Sequence, residues 1–248
     1  MPSTSEKGHA KNVANLSKLI EVCKGLGSKY NPSKELLKIP NLEAKLAECT
    51  ANLQEHKDKD QAESLARNNR IAAFNNNKKL STRLIAAIKT SEATEKTIED
   101  ALSINKKIQG ERISAKPAET KPTEGTTTPT SNSISTSQLS YTNIIDHYKK
   151  YHTLITSMGK DYSPNEEELK LVSLTTYINN LETLTKAVDT AETATKNAQI
   201  KRDKSFYADK TGIPDISAGV KEYIKSVFGS GSPEHKMVTK ITFSKPTS

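Results

Sequence analysis

Large apolar side chains recur along this chain at spacings of three and four, the period of one face of a helix. Val13, Leu16, Leu19, Cys23 and Leu26 form the first stripe, and Gly27 follows as a helix stop. A second stripe, Leu42, Leu46, Cys49 and Leu53, fades through His56, Asp60 and Glu63, and predicts a long helix over 40–77. At 1.5 Å of rise per residue such a helix spans about 55 Å, twice the reach of the first. The first helix therefore covers half of it. A third helix carrying Leu84 and Ile88 is the expected cover for the rest, and a fourth is predicted over 95–109.

The pattern is then stated again. SKYNPSKELLK at 28–38 returns as KDYSPNEEELK at 160–170, an offset of 132 positions. The same offset pairs Gly27 with Gly159, Tyr30 with Tyr162, Pro32 with Pro164, Leu42 with Leu174, Arg70 with Arg202, Phe74 with Phe206 and Lys89 with Lys221. Ile145, Tyr148, Tyr151, Ile155 and Met158 repeat the first stripe; Leu174, Ile178, Leu181 and Thr185 repeat the second, over a helix predicted at 172–208. Ile216 and Val220 repeat the third. A fourth is predicted over 233–241, with Ser232 as its cap and Pro233 at its first position, and 240–245 as a short extended tail. One offset held this far points to two copies of one unit of roughly 100 residues.

The phrase that repeats has a physical role. Tyr-x-Pro after a glycine stop cannot prolong the first helix, because proline lacks the donor and restricts the residue before it. Leu37 and Ile39, like Leu169 and Leu171, then alternate with polar neighbours, which predicts a short extended strap. A helix starting at Pro32 is the rival, since SPNE at 163–166 also fits a capping box. Tyr30 and Tyr162 are expected to pack over the bend. The predicted fold is all-α: two tandem copies of an elongated antiparallel helical bundle, each with an extended strap after its first helix. The copies occupy 1–113 and 139–248, and a Thr/Ser/Pro-rich linker at 114–138 has too few large apolar side chains to build a core.

Composition supports helices with narrow apolar stripes. Of 248 residues 33% are hydrophobic and 5% aromatic, Trp is absent, and Gly and Pro number 10 each. The net charge of +8 is uneven: residues 1–113 hold 20 Lys and Arg against 14 Asp and Glu, while 139–248 hold 15 against 13. That bias suits weak attraction to polyanions and suits plain solubility equally. The opening MPSTSEKGHAKN lacks an apolar signal region, and no apolar run is long enough to span a membrane. A cytoplasmic location is the expectation, with export by a non-standard route left open.

Chemistry-bearing residues are scattered. Cys23 and Cys49 stand where the second copy has Ile155 and Leu181, so two buried free thiols on facing helices are expected rather than a disulfide or metal pair. His9, His56, His147, His152 and His235 make no metal-ligand spacing, and no zinc-protease, nucleophile-elbow, P-loop or dinucleotide motif is present. No catalytic residue and no cofactor are indicated. Glu166, Glu167 and Glu168 are expected as a charged helix start or solvated connector. The basic residues Arg67, Arg70, Lys78, Lys79 and Arg83, and in the second copy Lys201, Arg202 and Lys204, are expected on a solvated helix surface. The same first-copy residues are the candidate polyanion contacts, although no groove-reading or base-stacking pattern accompanies them.

HAKNV at 9–13, YNPSKELLK at 30–38, INKKIQG at 104–110 and VKEYIKSVFGSGSPEHK at 220–236 resemble a group of uncharacterised, internally duplicated helical proteins from Bacteroidota genomes. The resemblance covers both copies and implies neither an activity nor a cofactor. The expected function is a non-enzymatic structural, scaffold or self-assembling protein whose partner is itself or another protein. The alternative is a weak nucleic-acid or polyanion binder acting through the basic first repeat, and an enzyme with an unrecognised site is the third reading.

Overall fold

Every regular element among the described residues is helical. The structure, a computed structural model, describes residues 4–111 and 139–244, with side chains from residue 8 onward. The linker predicted at 114–138 lies outside the described residues. In chain order come α1 (Thr4–Gly25), α2 (Ile39–Phe74), α3 (Asn77–Lys89), α4 (Glu95–Gln109), α5 (Tyr141–Met158), α6 (Leu171–Tyr207), α7 (Ile213–Phe228) and α8 (Pro233–Thr239). Side-chain oxygens of Thr94, Ser140 and Ser232 cap α4, α5 and α8 by accepting from the N–H three residues on.

The strap is where the prediction needs correcting. Residues 30–38 are neither an extended strand nor a helix from Pro32; they hold a single 3-10 turn at Glu35–Leu37, and its counterpart is Glu167–Leu169. Gly27, at φ 57°, and Gly159, at φ 58°, take the left-handed backbone that ends the first helix of each copy. The Tyr30 hydroxyl then donates to the Leu37 carbonyl at 2.7 Å, and the Tyr162 hydroxyl to the Leu169 carbonyl at 2.9 Å. This pin draws the chain into a turn, with Leu37 and Leu169 buried. The predicted tail is likewise irregular over 241–244: Asn12 and Asn15 of α1 donate to the carbonyls of Ser244 and Thr242.

The described residues divide into two compact units, and these do not follow the copies. Unit 1 is drawn from Met1–Leu65 with Thr190–Ser248, and unit 2 from Ala66–Asp189. The units therefore do not follow the predicted division at 1–113 and 139–248. The cause is the length of the second helix. At 1.5 Å per residue the 36 residues of α2 outrun the 22 of α1, so its first part belongs to one core and its end to the other.

In unit 1, α1 packs against α7 and α8. Leu16, Leu19, Leu42, Ile213, Val220 and Val238 are fully buried there. Each contributes about 1.5–3 kcal/mol through apolar area removed from water. In unit 2, α4 packs against α3 and α5. Its core holds Leu84, Ile88, Ile108, Leu174 and the fully buried rings of Tyr148 and Tyr151. Tyr148 donates to the Asn77 carbonyl, and Tyr151 to that of Ala101 at 3.1 Å. The two tyrosines occupy the positions that Leu16 and Leu19 hold in unit 1. Opposite them unit 2 has the small Ser81, with its hydroxyl on Asn105, where unit 1 has Ile213. Large residues on one side are thus matched by a small one on the other.

Candidate functional site

A buried polar cluster lies in unit 1, on the last turns of α6 beside α1 and α2. Arg202 is 4% exposed, which corrects its expected place on a solvated surface. Its Nε and Nη2 donate to Asp203 Oδ1 at 2.9 and 2.8 Å, and its Nη1 lies 3.2 Å from His56 Nδ1. A guanidinium has only donors, so Nδ1 of His56 is the acceptor and that ring is neutral, with its proton on Nε2. His9 Nε2 lies 3.4 Å from the same Asp203 oxygen, and the His9 ring meets Phe206 edge-on at 5.0 Å. A buried guanidinium is tolerated because carboxylate and imidazole take up its donors.

Unit 2 solves the same problem differently. Arg70 stacks on Tyr141, its Cζ 4.1 Å from the ring centroid, and Phe74 meets that ring edge-on at 4.7 Å. Tyr141 stands at the His9 position, Ile71 at that of Asp203 and Val188 at that of His56. A cation over an aromatic face replaces the ion pair. The sequence names Arg70, Phe74, Arg202 and Phe206 through their shared offset. It misses His9, His56, Asp203 and Tyr141 because their counterparts differ in type.

The remaining predicted residues separate. Of the candidate polyanion contacts, Arg70 is stacked, Lys78 donates to the Gln109 carbonyl at 3.0 Å, and Arg83 is paired with Glu168. Lys79 is exposed and shares a 360 Å³ groove with Arg83 and Glu168, whose carboxylate opposes an anion there. Arg67 has an interaction within the chain. Four of the five are thus engaged within the chain. Glu167 pairs with Lys170 at 2.5 Å, in keeping with a solvated connector rather than an acid/base pair. Pro32 is buried and Pro164 half-buried under the bend.

Both cysteines are buried free thiols. Burial pushes each up to about 11 and keeps it protonated near neutral pH. They belong to one core, yet each has its own partner: Cys23 the Tyr30 side chain, and Cys49 the Ser205 carbonyl at 3.5 Å. Among the described residues no group of three or more His, Cys, Asp or Glu side chains is placed to hold a metal ion, and no helix is long and apolar enough to cross a membrane.

His147 lies on α5, in the core of unit 2. It is 3% exposed, and among the described residues neither ring nitrogen has a hydrogen-bond partner. Burial holds it below the usual histidine range, helped by Lys150 and Lys107 and opposed by Asp146. The unfolded chain binds a proton near pH 6.5 that the folded chain resists, so stability falls as pH drops through and below that value. The expected slope is at most about 1.4 kcal/mol per pH unit. His147→Phe should flatten it, read from urea unfolding at pH 7.5 and at pH 5.5; an equal loss in both proteins would assign the slope to other groups.

Unit 2 also carries an open groove of about 650 Å³ between the end of α3 and residues 160–166, lined by Arg83, Ala87, Thr90, Ser91, Tyr162 and Asn165 among others. Compared with known proteins, the chain matches no family model, no curated protein and no solved structure.

Proposed function

We propose that the chain is a non-enzymatic structural protein, a scaffold or self-assembling element built from two duplicated helical copies. One observation carries this reading: the units are drawn crosswise from the copies. The first helix and the start of the long helix from one copy share a core with the end of the long helix and the third and fourth helices of the other. A chain whose copies complete one another is organised as a covalently joined symmetric pair. The same exchange can join copies carried by neighbouring chains.

The partner on this reading is a second copy of the chain. Sedimentation and light scattering across a wide concentration range test it. The expected result is a mass that rises with concentration, and more of the larger species after unfolding and refolding at high concentration. A compact monomer throughout, before and after refolding, would overturn the reading.

A further inference from the structure

The open groove of unit 2 has a filled counterpart in unit 1. There α7 runs on to Phe228, and Tyr223 in its last turns lies against the segment that follows α1. The Tyr223 ring meets Tyr30 edge-on at 5.3 Å, and its hydroxyl oxygen accepts from the Asn31 N–H at 2.9 Å. Lys29 sits 5.9 Å from the Phe228 ring centroid. In unit 2 the equivalent helix, α3, stops at Lys89 and the chain turns away through Thr90. Ser91 takes the place of Tyr223 in register, and Lys96 that of Phe228. The turns that cover the strap in unit 1 are therefore missing in unit 2, and the groove opens at that place.

The walls needed to hold a phenol remain. Tyr162 stands for Tyr30, with its hydroxyl fixed on Leu169, so the ring presents the same edge. Ser163 stands for Asn31; it is exposed, and its N–H has no acceptor among the described residues. Ala87, which lines the groove, stands where unit 1 has Gly219. The groove lies in the size range of ligand pockets, roughly 300–1,000 Å³.

We propose that this groove of unit 2 binds a tyrosine side chain presented by a partner polypeptide. The ring lies edge-on to Tyr162, and the phenol oxygen accepts from the Ser163 N–H. The occupant is a tyrosine because unit 1 fills the equivalent place with Tyr223, and residues 112–138 between the two halves of the described chain contain none. The inference goes beyond self-assembly and holds for a monomer as well as an oligomer.

The probe is a labelled peptide with the sequence of residues 219–229, GVKEYIKSVFG, titrated with the full chain. It should bind, and the same peptide with tyrosine replaced by alanine should bind at least about tenfold more weakly, the loss usual for a truncated aromatic anchor. Ser91→Tyr fills the groove from within and should weaken binding by a similar factor. Amide shifts in the wild-type chain keep the test independent of how that variant folds: Ser91 and Ser163 should move on adding peptide. No binding, equal binding of the alanine peptide, or shifts confined to other residues would overturn the proposal. So would p-cresol moving the same amides as strongly as the peptide, since the site would then belong to a free phenolic molecule.

Discussion

Replacing Asp203 by alanine should destabilise unit 1 by about 3 kcal/mol, the lower end of the range for breaking a buried ion pair. The Arg202 side chain is 5% exposed and would keep its charge while losing two of its acceptor contacts. Asp203 itself is 42% exposed, so water can partly replace it, which sets the lower figure. The double change Arg202→Met with Asp203→Ile removes both charges and imports the aliphatic residue of the other copy at the second position. It should cost far less than the single change, within about 1–2 kcal/mol of wild type, because no charge is left to desolvate. Urea unfolding gives the size of each effect, and hydrogen exchange should locate the loss in α1 and the end of α6. A loss under about 1 kcal/mol for Asp203→Ala would place the pair with ordinary surface ion pairs.

Exchanging core residues between the units should give a strong coupling. Tyr148→Leu imports Leu16, opens a cavity and removes the hydroxyl that donates to the Asn77 carbonyl beside its helical partner, at about 2–3 kcal/mol. Ser81→Ile imports Ile213, crowds the two tyrosines and takes the donor from Asn105, at about 2–3 kcal/mol. Made together, the leucine vacates room for the isoleucine. The double variant should be more stable than the summed singles by at least about 1 kcal/mol. Strict additivity would mean that these positions do not trade volume, and that their shared offset of 132 carries no packing equivalence.

The helices were legible because their apolar stripes keep a helical period over many turns. The long helices, predicted at 40–77 and 172–208, run Ile39–Phe74 and Leu171–Tyr207. Which stripe meets which was not legible. Periodicity says that Leu16 and Leu19 need a partner, but Ile213 and Ile88 serve that need equally well on paper. Only the three-dimensional path of α2 and α6 assigns them. The strap was misjudged because Leu37 and Ile39 alternate like a strand, while the hydrogen bond from Tyr30 that bends the chain acts across seven residues. Arg202 was misplaced for a related reason. A lone cation in a helix is usually solvated, and its acceptor His56 lies 146 residues away. The groove could have been found from the offset alone, by asking why Ser91 stands where the other copy has Tyr223.

The crosswise make-up of the units sets an order for synthesis. Unit 2 is one continuous stretch, closed by contacts such as Tyr148 to Asn77 and Tyr151 to Ala101, 71 and 50 residues apart. Unit 1 joins Asn15 to Thr242 and Asn12 to Ser244, 227 and 232 residues apart. A chain emerging from the ribosome amino end first holds all of unit 2 while α7 and α8 are still unmade. Long closures are also entropically the slower ones. The amino-terminal part of unit 1 is therefore made before unit 2 and completed after it: α1 and the start of α2 wait with Leu16, Leu19 and Leu42 uncovered until α7 and α8 arrive. A ribosome that stops after Asp189 would release a chain with a complete inner unit and a sticky amino-terminal arm, a species for chaperones and proteases to clear.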